Sequence, residues 1–147
     1  MGFIAKLLGK DERLKQYAAL PVLRLASGEV MVCLITSRDS GRWLVPKGWP
    51  KGKKDGSQVA LEEANEEAGL VGTISASSIG TYVYRKRLHA VARPECNVEV
   101  FLLEVTHQVR EWPECKERKL RWCGPEEAAT MVQEPELAAL IRAVGML

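Results

Sequence analysis

A chain of 147 residues, 46% hydrophobic and 27% charged, has the size and composition of one globular domain. Its 21 Lys plus Arg against 19 Asp plus Glu leave a formal charge of only +2, which argues against a protein that coats nucleic acid through overall basicity. No apolar run reaches the roughly 18 to 20 residues of a membrane span and no secretory signal opens the chain, so the sequence reads as soluble and cytoplasmic. Cys33, Cys96, Cys115 and Cys123 form no CxxC pair and read as reduced thiols.

No repeat or low-complexity linker divides the chain, which predicts a single domain over residues 1–147 with residues 1–16 as an N-terminal extension. Apolar residues 18–26 lead through the turn signal Ser27-Gly28 into the near-continuous apolar run of residues 30–36, predicting a hairpin whose second strand is buried. Asp39-Ser40-Gly41 is a second turn, Trp43-Leu44-Val45 a short strand stopped by Pro46, and residues 47–56 a loop rich in glycine and lysine. Residues 57–68 form the clearest helix, with Ser57 as N-cap and Gly69 placed for a left-handed C-terminal cap. Residues 82–84, 98–105 and 120–123 read as strands, and Pro125 and Pro135 each open a helix, through Met131 and Val144. This order predicts an α/β (α+β) sandwich with a mixed sheet.

Four glutamates, Glu62, Glu63, Glu66 and Glu67, fall within six residues of the first helix with no basic residue among them. At about 100° per residue they cover an arc of roughly 140°, opposite Leu61, Ala64 and Ala68, so the helix is expected to bury the apolar face and present the carboxylates. Their mutual repulsion calls for compensation, which a hard cation such as Mg²⁺ or Mn²⁺ supplies through oxygen ligands; a solvated acidic face is the alternative. Upstream, Arg42, Lys47, Lys51, Lys53 and Lys54 put five cations into thirteen residues without an acid, and Gly48, Gly52 and Gly56 allow close backbone approach to a ligand. A cationic glycine loop feeding a carboxylate helix suits a metal-bound polyphosphate.

These residues resemble the motif of the Nudix hydrolases: glycine, five residues, glutamate, seven residues, arginine-glutamate, an aliphatic, any residue, two glutamates, any residue, glycine and an aliphatic. Gly48 begins it, and Glu63, Ala64, Glu66, Glu67, Gly69 and Leu70 complete it in register over residues 48–70. The resemblance implies an α/β/α sandwich with a loop-helix-loop, and Mg²⁺ or Mn²⁺ held by Glu63, Glu66 and Glu67 beside Gly48. It also implies hydrolysis of a pyrophosphate linkage by a metal-activated water, with one of the glutamates as general base. Arg42-Trp43-Leu44-Val45-Pro46, Trp112, Arg121-Trp122 and the helix from Pro125 look like the branch acting on diphosphoinositol polyphosphates and dinucleoside polyphosphates. Ala18, Ala19, Leu20 and Glu134 stand where basic residues help hold a crowded inositol phosphate, which favours a nucleotide.

Two positions depart from the motif. Lys54 replaces its first glutamate and Glu62 replaces its arginine, a paired reversal that predicts an inverted ion pair tying loop to helix. A domain weakened by these changes, binding a nucleotide as a sensor, is the alternative function. Lys47 and Lys53, with Arg42, Arg85, Lys86 and Arg87, are candidates for the non-reacting phosphates, each with plain surface exposure as the competing reading. Trp49 is suited either to stacking on a base or to packing over the helix. Trp43, Trp112 and Trp122 are assigned to the core or its rim; His89 is a better functional candidate than His107 because of its basic neighbours. The expected partner is a small-molecule polyphosphate, with no membrane or specific nucleic acid, bound by a monomer or homodimer.

Overall fold

The computed structural model describes residues 14–86 and 93–147. Within them one mixed sheet contains β1 (Leu14–Arg24), β2 (Val30–Thr36), β3 (Trp43–Leu44), β4 (Lys47–Gly48), β5 (Leu70–Ile74), β6 (Gly80–Arg85), β7 (Glu95–Gln108) and β8 (Leu120–Cys123). Helices α1 (Gly56–Ala68), α2 (Pro125–Met131) and α3 (Pro135–Val144) flank it. The strand order is β3-β2-β1-β7-β5, with β4 on β1, β6 on β7 and β8 on β2. β1 and β7 run parallel from Leu14↔Cys96 to Val22↔Glu104, while β1 and β2 form the antiparallel hairpin expected from Ser27-Gly28.

Both faces of the sheet are covered, which explains why its central strands read as nearly unbroken apolar runs. Alternate residues Leu20, Val22, Val32, Leu34, Val98 and Val100 join Leu137 and Ile141 of α3 in one core. The intervening Ala19, Cys33, Ile35, Phe101 and Leu103 meet Ala60, Ala64 and Ala68 of α1 in the other. Three alanines at spacing four let α1 lie close to the sheet, and that fixes the depth of the carboxylates beside them.

Three expectations shift. β1 begins at Leu14, so residues 14–16 belong to the sheet and Gln16 is buried within it. The N-cap of α1 is Asp55 rather than Ser57: aspartate caps as well as serine, and the Gln58 side chain accepts from the Asp55 N–H at 3.2 Å. β5 escapes sequence reading because Gly72 interrupts its pattern at a bulge. A Cβ at Gly72 would lie 2.0 Å from the Glu104 carbonyl oxygen, so the backbone approach there requires glycine.

Candidate functional site

The last turn of α1 is anchored by the segment that follows β7. Carbonyl oxygens of a helix end need donors from elsewhere, and here each has one. Asn65 accepts from Gly69 N–H (2.9 Å), Glu66 from Glu114 N–H (3.1 Å), Glu67 from the Trp112 indole (3.2 Å) and Ala68 from the Gln108 amide (3.0 Å). Gly69 turns the chain at φ 67°, and a Cβ there would strike the Trp112 ring at 2.5 Å. Trp112 is thus a half-buried helix cap, a more definite role than the core or rim position its sequence context suggested.

The four glutamates of α1 divide in two, which corrects the expectation of one exposed acidic face. Glu63 and Glu67 are 8% and 5% exposed and lie at the edge of the buried face beside Ala64, whereas Glu66 is exposed and Glu62 half-buried. The cause is angular: about 100° per residue brings Glu63 and Glu67 next to Ala60 and Ala64, turning them inward with the alanines. Burial pushes the Glu67 carboxyl up to about 8, opposed by Arg118 and reinforced by its contact with Glu63.

Cations from outside the helix meet these acids. Arg118, half-buried and in sequence indistinguishable from the other charges of residues 116–119, donates to Glu114 (2.7 Å) and to the Thr36 carbonyl (3.0 Å) and lies 3.6 Å from Glu67. Lys54 bonds Glu62 at 2.5 Å, the inverted pair that the double charge reversal predicted, and Lys51 approaches Glu63 at 3.1 Å. Gly48, on β4, faces the same carboxylate: a Cβ there would lie 2.1 Å from Glu63 Oε1. Glycine is therefore required at that position to seat Glu63.

Glu63, Glu66 and Glu67 line one polar cleft of about 290 Å³ with Gly48, Lys47 and Trp49. Among the described residues no three His, Cys, Asp or Glu side chains are already gathered as a ligand set. The donors nonetheless fit a hard cation: all are carboxylate oxygens, and the crowded Glu63–Glu67 pair carries an electrostatic cost that a divalent ion offsets. A second cleft of about 400 Å³, lined by Arg42, Lys47, Arg85, Lys86 and Arg93 with Asp39 as its one acid among the described residues, adjoins the first. Both contain Lys47 and Lys86.

Lys47 is half-buried with its ammonium 5.0 Å from the Tyr84 ring centre, and burial pulls its pKa down to about 8 against the attraction of Glu67. Tyr84 in turn hydrogen-bonds buried Gln16. Lys86 sits 5.9 Å over the ring of Trp49, which also packs against the core on the α3 side of the sheet rather than over α1. Arg42 donates to Gln133 (2.6 Å), and Arg85 to the Arg93 carbonyl (3.0 Å). Lys53 is exposed and lines neither cleft. Arg87 and His89 lie outside the described residues, and His107 is exposed on β7.

No family model matches the chain. Individual relatives do. Nudix hydrolase 16, mitochondrial, of Arabidopsis thaliana is 33% identical over 113 residues, covering 74% of this chain and 62% of that protein. The family is decided by this likeness together with the motif and fold. The chain belongs to the Nudix hydrolases. Nudix hydrolase 21, chloroplastic, of the same plant is 32% identical over 107 residues, covering 72% of this chain and 52% of its own length. The chain spans about half the length of several curated Nudix relatives it matches. Human diphosphoinositol polyphosphate phosphohydrolase 3-alpha is 26% identical over 124 residues, 83% of this chain and 71% of that one. The Nudix fold is matched by the crystal structure of C. elegans Ap4A hydrolase (TM-score 0.63, 24% identity), covering 87% of this chain and 92% of that one. The NUDIX domain of Shewanella oneidensis NrtR complexed with ADP ribose matches at TM-score 0.65 and 15% identity, covering 89% and 87%. No helix among the described residues of this Nudix chain is long and apolar enough to cross a membrane.

Proposed function

We propose that this chain hydrolyses a pyrophosphate linkage in a small-molecule polyphosphate, using Mg²⁺ or Mn²⁺ held by Glu63, Glu66 and Glu67 beside Gly48. The observation that carries this reading is the continuity of the carboxylate cleft with the basic cleft through Lys47 and Lys86. A bound divalent cation of this kind activates water and neutralises charge on phosphate oxygens. One of the three glutamates accepts the proton of the attacking water, and their placement on one rigid helix keeps the acceptor in register with the phosphate. Lys47 and Lys86 hold the phosphates at the junction, while Arg42 and Arg85 neutralise those further along the basic cleft. Trp49, which lines the carboxylate cleft beside Lys86, stacks on a base of the substrate.

A nucleotide is the preferred substrate, as a dinucleoside polyphosphate or a nucleoside diphosphate linked to another group. Ala18 and Leu20 lie in the core, and Glu134 adds negative charge before α3, so none of these positions supplies a cation to an inositol phosphate. The names of the Ap4A hydrolase and of the ADP-ribose complex point to the same class. The experiment is phosphate-product analysis with Mg²⁺ on diadenosine tetraphosphate, ADP-ribose and a diphosphoinositol polyphosphate, with Glu66→Gln and Glu67→Gln as controls. Cleavage that both substitutions leave untouched removes the site assignment. Thermal stabilisation by a nucleotide that is never cleaved transfers the chain to the sensor alternative.

A further inference from the structure

We propose that Lys51 is a positioning residue for Glu63, delivered by a tight turn and anchored by Glu62. This rests on the metal-site reading above, but concerns a cation that lies outside the motif helix. Residues 51–54 form a turn closed by Lys54 N–H on the Lys51 carbonyl (3.1 Å), with Gly52 at φ 57°. That left-handed residue is where a side chain would be strained, so glycine sustains the turn. The turn directs the lysines at its two ends, Lys51 and Lys54, onto α1, while Lys53 stays exposed.

The two ammonium groups divide their work. Lys54 bonds Glu62 Oε1 at 2.5 Å, and Lys51 stands between Glu62 Oε2 at 3.8 Å and Glu63 Oε1 at 3.1 Å. Glu62 Oε2 is shielded from solvent and accepts no hydrogen bond among the described residues, so the Lys51 charge is its compensation. Glu63 is wedged: the oxygen that Lys51 holds, Oε1, is also the one facing the Cα of Gly48, so the carboxylate is fixed from two sides where the residue lines the cleft beside Glu67. Glu62 is thereby a working part of the site: it holds the lysine that holds Glu63.

The test is Mn²⁺ binding to the full substrate-free chain, read by electron paramagnetic resonance, alongside thermal unfolding. Lys51→Met should weaken Mn²⁺ binding about tenfold, the scale expected when a residue orienting a metal ligand is lost. Lys51→Arg, which keeps the charge and the reach, should recover most of it, with little change in Tm for either. Gly52→Ala leaves every charge in place and strains the turn, so it should also weaken Mn²⁺ binding; it carries the test if Lys51→Met fails to fold. Unchanged Mn²⁺ affinity in Lys51→Met, or tighter binding, overturns the proposal, the latter by making Lys51 a competitor of the metal. Failure of Lys51→Arg to recover binding overturns it too. If Glu63→Gln leaves Mn²⁺ binding intact, the metal-site reading itself falls, and the positioning role with it.

Discussion

Arg118 lies 3.6 Å from Glu67, and the two side chains are 9% and 7% exposed. The guanidinium also spans Glu114 and the Thr36 carbonyl, so it joins the end of β2 to the helix that carries the acids. Removing it leaves the part-buried Glu114 carboxylate and the Thr36 carbonyl without their donor, and a buried acceptor left unpaired costs about 1–3 kcal/mol. Arg118→Met is therefore expected to lower stability by about that amount in urea unfolding. A loss below about 1 kcal/mol, the scale of an exposed pair, would mean that the guanidinium is not buried in solution.

The Glu67 carboxyl gives stability a pH dependence of known sign. In the unfolded chain it ionises near its ordinary value of 4.5; in the folded chain it keeps its proton up to about 8. Between those values the folded state binds more protons, so rising pH erodes its advantage, and above about 8 the full cost of the buried charge is present. Glu67→Gln carries no such charge. In EDTA its Tm should gain on that of the parent as pH rises from 5 to 9; a constant or shrinking difference contradicts the assignment.

Gly48→Ala probes seating without altering charge. The added Cβ would fall 2.1 Å from Glu63 Oε1, and the carboxylate must move to admit it. A displacement of about 1 Å at a reacting centre costs on the order of a hundredfold in rate. Turnover of the cleaved substrate should fall at least tenfold on this basis; activity within twofold of the parent would show that Glu63 need not occupy its present position.

Lys54→Glu and Glu62→Arg should each lower Tm by placing like charges together at the loop–helix junction. The double substitution restores an attractive pair in the opposite orientation and should regain most of the loss. Added salt should narrow the gap between single and double variants, because the pair is solvent-accessible. Additive losses in the double variant would show that the Lys54–Glu62 contact does not couple the two elements.

Much of this structure is legible in the sequence because its signals are local. The near-continuous apolar run of residues 30–36, the prolines that open α2 and α3, and Gly69 after a helical run each act within a few residues of themselves. The inverted Lys54–Glu62 pair is legible for the same reason, since one turn separates loop from helix. Arg118 is not, because burial of its guanidinium depends on Thr36 and Glu67, 82 and 51 positions away. Nor is the burial of Glu63 and Glu67: helix phase puts them at the edge of the glutamate arc nearest Ala60 and Ala64, but how far the sheet covers that edge depends on elements remote in sequence.

Glu67 is gripped twice from one stretch of chain. Its carbonyl accepts from the Trp112 indole N–H while its carboxyl group faces Arg118, and Glu114 contributes a backbone donor to the preceding carbonyl and an acid to Arg118. The run between β7 and β8 thus acts as a template against which the final turn of α1 is set. A change in its length moves a helix end and a carboxylate together, so this outwardly charged surface segment is coupled to the site as closely as the motif itself.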